Sequence, residues 1–293
     1  MSGSNLADFA RNRDRDRFLC SLLAPARLQR PIWSILCFNW EIARIPDIVS
    51  QPILGQIRLA WWREALDEIF SPAQPRRHEV VDALAIEARA GFLKKEGLEN
   101  LLDGWERVLI EDRPAGTEAL DRRLAQTSGA LLDLWLTVLQ AEGDEDQKAA
   151  RHIGIAWGLV AMLRALPNRQ AGAGQGGMGH GLTGHGLTGQ GFPTDWLREA
   201  GLASEAASPQ DQKGWRQIAE RTATEAQAHL ATARALRRGT SHAALPALAL
   251  ARLADQHLTR LARRHYDVFA PALTTPSPFH GLSLLPARWT GRY

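Results

Sequence analysis

A chain of 293 residues with 45% apolar and 23% charged side chains can bury a full core, which excludes disorder throughout. Lys and Arg number 35 against 32 Asp and Glu, and no basic block stands out, so no nucleic-acid partner is expected. The two cysteines, Cys20 and Cys37, are too few for a disulfide scaffold and point to a reducing, cytoplasmic setting.

The start, MSGSNLADFARNRDRDRF, is polar and carries no signal-type apolar segment, and residues 1–15 are expected to be flexible. Helical periodicity follows. Leu28, Ile32, Ile35, Leu36 and Ile42 predict a helix over 26–44, closed by Pro46. Leu54, Ile57, Leu59, Trp61, Trp62, Ala65, Leu66 and Ile69 predict a second over 53–70. Its remaining face carries Arg58, Arg63, Glu64 and Asp67. Shorter helices are expected over 80–92 and 98–110, and Thr117 caps one over 118–140. A long apolar helix spans 146–166 and stops at Pro167, and helices over 210–238 and 243–269 complete the chain. The longest apolar run, 153–163, is about half the ~20 residues that cross a bilayer and reads as buried helix. Strand-type alternation is nearly absent, so the fold class is all-α, a single-domain helical bundle. The ten tryptophans are expected to fill core volume, and Cys20 and Cys37 to sit at core positions. His257 and His265 are expected to decorate the surface of the last helix or to cap charges.

Segment 171–191, AGAGQGGMGHGLTGHGLTGQG, breaks the pattern and repeats HGLTG in tandem. It reads as a flexible, low-complexity loop insertion, because glycine loses much entropy on ordering and offers nothing to pack. Gly172, Gly174 and Gly177 follow no strand, which excludes a dinucleotide fingerprint. His180 and His185 have no Cys or carboxylate nearby to complete a metal site.

Three stretches resemble the squalene/phytoene synthase family of all-helical prenyl transferases, over roughly residues 16–289. Arg58, Leu59, Trp62, Ala65 and Leu66 match its R-L-x-x-W-x-x-A-L pattern. IGIAWGLVAMLRALPNRQ resembles its G-x-x-x-Q-x-x-N-x-x-R-D-x-x-x-D helix, and GFPTDWLREAGL the segment after it. The tail LARLADQHLTRLARRHYDVF resembles its last long helix. The resemblance implies the trans-isoprenyl diphosphate synthase type of bundle. It also implies condensation of two prenyl diphosphates, with Mg²⁺ held between two aspartate-rich helices to neutralise the leaving group.

The matched positions depart from that chemistry. With Gly154 and Arg164 in register, the family's glutamine falls on Gly158, its asparagine on Ala161 and its two aspartates on Ala165 and Arg169. The first acidic motif meets Ile45-Pro46-Asp47-Ile48-Val49-Ser50 and retains Asp47, with Glu41 upstream and Arg44 placed to pair with it. Glu41 and Asp47 are therefore the candidate catalytic and metal-binding carboxylates. Arg44, Arg58, Trp62 and Arg164 are the candidate substrate or diphosphate-binding residues, because arginine holds such oxygens bidentately.

The run FNWEIARIPDIVSQPILGQIRLAWWREALDEI is also similar to a divergent branch of this family, the assembly factors for respiratory complex I. Its signatures fall on Phe38, Asn39 and Glu41, on Ser50, Gly55, Arg58 and Trp61, and on Gly154, Gly158, Leu163, Arg164 and Ala165. This resemblance implies a non-catalytic scaffold with no certain cofactor, assisting assembly of a respiratory membrane complex. Its partners would be a complex subunit and a prenyl diphosphate or lipid-like ligand, with peripheral contact at the inner membrane. No basic amphipathic helix marks that contact. The alternative is an active prenyl transferase with a one-sided Mg²⁺ site on Glu41, Asp47 and Glu64 or Asp67. Fold alone implies the cavity and not the reaction.

Overall fold

The longest helix, α10 (Asp144–Ala171), is the axis around which the other elements pack. The structure, a computed structural model, describes residues 3–171, 191–202, 211–270, 281–290 and 293. Regular structure among these residues is entirely helical. Before α10 come α1 (Gly3–Arg13), α2 (Arg15–Ser21), α3 (Ala26–Ala43), α4 (Ile45–Ile48), α5 (Pro52–Ile69), α6 (Glu79–Arg89), α7 (Lys95–Ile110), α8 (Thr117–Leu124) and α9 (Ala130–Leu139). After it come α11 (Thr194–Glu199), α12 (Gln212–Ala235), α13 (Leu245–Leu248), α14 (Leu250–Ala262) and α15 (Leu285–Thr290).

Helix α10 packs on α12, α9, α14 and a π-helical turn, Ala125–Gly129, that links α8 to α9. Small residues permit that approach. A Cβ on Gly154 would stand 2.6 Å from Gly129 Cα, and one on Gly158 2.7 Å from Leu124 Cδ2. Asp144–Leu166 is apolar and long enough to cross a bilayer, yet 83% of its most apolar window is buried inside the bundle. Trp105, Trp135, Trp157 and Trp196 are fully buried, so these tryptophans do fill core volume. Cys20 and Cys37 are free and buried, and burial pushes both thiols well up.

Four boundaries differ from expectation. Residues expected to be a flexible N-terminus form α1, with Leu6 and Ala10 buried and the helix packed on α3. The helix expected over 118–140 is three pieces, because the π turn inserts where neighbouring helices approach. Pro167 does not end α10: an internal proline removes one backbone bond, and α3 likewise continues through Pro31. The final helix expected over 243–269 is split into a 3₁₀ turn, α13 and α14, and after it His265 and Tyr266 adopt left-handed φ of 53° and 58°. The glycine-rich residues 172–190, with His180 and His185, lie outside the described residues.

Candidate functional site

The first matched motif falls on the corner where α3 hands over to α4, with Pro46 in the first turn of α4. Glu41 pairs with Arg44 at 3.0 Å, as its spacing allows. The Arg44 guanidinium also lies 4.2 Å from the Trp40 ring centre, and Arg13 of α1 lies 4.4 Å from it. Asp47 is half-buried on α4. On α5, Arg58 is exposed. Trp62 is 5% exposed and meets Phe38 at 5.2 Å, Trp61 at 5.0 Å and His78 at 5.2 Å, a core environment. Arg63 reaches across to α7, to Asp103 at 2.7 Å and Glu106 at 2.6 Å. Glu64 pairs with Arg76 and Asp67 with Lys95 on the α5 surface, so neither turns toward Glu41 and Asp47.

The second matched motif falls on α10. Its Arg164 donates from Nη1 to Asp16 Oδ2 on α2 at 2.8 Å, and His257 Nε2 on α14 lies 3.1 Å from the same oxygen. His257, expected to decorate the surface or cap a charge, is 13% exposed in its side chain and meets the Asp16 carboxylate. Beside this pair lies Arg17, wholly buried. Its Nη1 donates to Asp14 Oδ2 at 2.7 Å, while Nε and Nη2 meet no acceptor among the described residues. Trp157 Nε1 is likewise buried without an acceptor. The Arg17 and Arg164 guanidinium carbons sit 5.7 and 5.6 Å from the Trp157 ring centre.

The two matched motifs differ in chemistry. One keeps two carboxylates, the first of them neutralised by Arg44, and the other presents Ala165, buried at 1% exposure. Among the described residues no group of three or more His, Cys, Asp or Glu side chains could hold a metal. Mg²⁺ asks for several hard oxygen ligands around a diphosphate, and this donor set does not fit it. The α2–α10–α14 cluster instead offers buried N–H donors, which suit an anion held directly. Of the residues expected from sequence, Arg164 belongs to that cluster, Glu41 and Arg44 pair with each other, and Trp62 packs on α3. Asp16, Arg17, Trp157 and His257 were not anticipated. The charged run DRDR at 14–17 was the one sequence signal.

A squalene/phytoene synthase family model matches residues 10–280. Complex I assembly factor 6 of Mus musculus is 30% identical over 294 residues, 99% of this chain and 84% of that one. The Homo sapiens protein of the same name is 27% identical over 98% of this chain and 81% of that one. Among solved structures, a dehydrosqualene synthase in complex with ligand superposes with a TM-score of 0.72 at 15% identity, covering 99% of this chain and 95% of that one. Squalene synthase HpnC from Alicyclobacillus acidocaldarius gives 0.67 at 17% identity, over 90% and 94%. These structures share the fold. The chain therefore belongs to the squalene/phytoene synthase family, in the divergent branch that resembles the respiratory complex I assembly factors.

Proposed function

We propose that this protein is a non-catalytic synthase-fold scaffold that assists assembly of respiratory complex I. The observation that carries the reading is on α10, where Arg164 is committed to Asp16 and a buried alanine, Ala165, stands where the family resemblance would put an aspartate. A diphosphate leaving group there has no paired carboxylates to hold its metal. The kinship with assembly factors named for complex I supports the same reading. The partner is a subunit or module of that complex, met in the cytoplasm at the face of the inner membrane. No Mg²⁺ is required.

A ligand role accompanies it. The unmatched Nε and Nη2 of Arg17, next to Arg164, favour an anionic lipid-like molecule such as a prenyl diphosphate, bound through arginine alone. The test of the main reading is genetic. Removing the gene from its host is expected to deplete assembled complex I on native gels. A Glu41→Ala/Asp47→Ala double variant is expected to restore it fully. Failure of that variant, with the wild-type gene restoring assembly, contradicts a non-catalytic role.

A further inference from the structure

Helix α5 is built with two apolar faces. Gly55, Leu59, Trp62 and Leu66 face the bundle. On the opposite side Ile53, Leu54 and Ile57 are 54%, 44% and 61% exposed, and Ile48 at the end of α4 is 49% exposed. Spacings of three and four residues place Leu54, Ile53 and Ile57 side by side, with half-buried Trp61 a turn further on. The corner is held firmly. Gly55 sits so close to α7 that a Cβ there would be 2.5 Å from Leu109 Cδ2. Exposure of these aliphatic side chains is therefore set by α5 docking through its other face.

Size and charge indicate the occupant. The four side chains expose on the order of a few hundred Å², the scale of the largest patch on a typical monomer. That is well short of the ~800 Å² per partner that a stable protein interface buries. The strip 48–62 carries one charge, the exposed Arg58, and the nearest acids in sequence are Asp47 and Glu64 at its two ends. Aliphatic side chains beside a tryptophan and an arginine suit the boundary between acyl chains and headgroups.

We infer that the α4–α5 corner is a membrane-docking surface, which sets Ile48, Ile53, Leu54 and Ile57 into the edge of an anionic bilayer with Arg58 among the headgroups. This goes beyond the assembly reading and stands without it, since the purified chain suffices to test it. The full chain is sedimented with vesicles of phosphatidylcholine, alone or mixed with phosphatidylglycerol. The wild type is expected to sediment with the mixed vesicles, and Ile53→Glu/Ile57→Glu to bind at least about tenfold more weakly with an unchanged melting curve. Arg58→Gln is expected to weaken binding and flatten its salt dependence. Should the double variant melt early, Ile57→Ser alone is read by the same shift. A wild type that sediments with neither vesicle overturns the inference, as does equal binding by the variants. Loss of a dimer in light scattering with vesicle binding intact assigns the corner to a second copy and also overturns it.

Discussion

Arg164 is the one polar residue of the second synthase motif that this chain keeps, and its partner decides what it can do. Asp16 is 9% exposed in its side chain and faces both Arg164 and His257, so its charge is well compensated. Asp16→Asn is expected to destabilise the fold by about 1–3 kcal/mol in urea titrations, the usual cost of breaking a buried charged contact. Glu41→Gln, which loses a pair whose arginine is 40% exposed, is expected to cost under about 1 kcal/mol. Arg17 poses the opposite case. Asp14→Asn with Arg17→Met removes a buried charge pair together with two unmatched donors, and stability is expected to hold or rise. Binding of a non-hydrolysable prenyl diphosphate, followed by calorimetry, is expected to fall at least about tenfold, near 1.4 kcal/mol. Unchanged binding would remove Arg17 from the ligand site. Little of this cluster was legible in the sequence, because Asp16 lies 148 positions from Arg164 and 241 from His257. The intrahelical Glu41–Arg44 pair was legible because spacing alone places it.

Among the elements, α3 and α5 were readable because their buried faces follow a helical period over many residues. The π turn was not, since the close approach that accompanies it lies in other helices. Gly154 meets the backbone of Gly129, whereas Gly158 meets only the movable side chain of Leu124. Gly154→Ala is thus expected to cost about 3 kcal/mol and Gly158→Ala clearly less, measured as denaturation midpoints. Equal losses would contradict the backbone contact. The same helix is tied to α8 and α12 by a polar chain. His229 Nε2 lies 3.2 Å from Asp121 Oδ2, and its Nδ1 lies 2.9 Å from His152 Nδ1. With His229 donating from Nε2 to Asp121, its Nδ1 accepts from His152 Nδ1. Burial lowers the His152 pKa, and the neighbouring His229 and Arg151 lower it further. The unfolded chain then takes a proton near pH 6.5 that the folded chain refuses. Stability from this contact is present above about pH 6.5 and is lost as pH falls toward the lower folded value. His152→Asn is expected to flatten the decline in melting temperature between about pH 7 and 5.5; an unaltered slope would place its origin elsewhere.

The whole molecule keeps the helical fold of the squalene/phytoene synthase family. α10 remains a buried apolar axis, with buried Ala165 at one of the positions matched to the family's aspartates and the retained Arg164 bound to the Asp16 carboxylate. The family was readable from the order and spacing of motifs such as Arg58-Leu59 with Trp62, which fix helix packing rather than chemistry. The remaining carboxylates were harder to interpret, since whether Glu41 and Asp47 act alone depends on where Glu64 and Asp67 turn, and they turn to Arg76 and Lys95. The most direct measurement incubates the purified chain with farnesyl and geranylgeranyl diphosphate, Mg²⁺ and NADPH, and assays diphosphate release and hydrocarbon product. A synthase fold without its metal site is expected to release none while a catalytic family member does so alongside. Turnover that disappears in Asp47→Ala would contradict the account, and would show that a one-sided carboxylate wall suffices for catalysis.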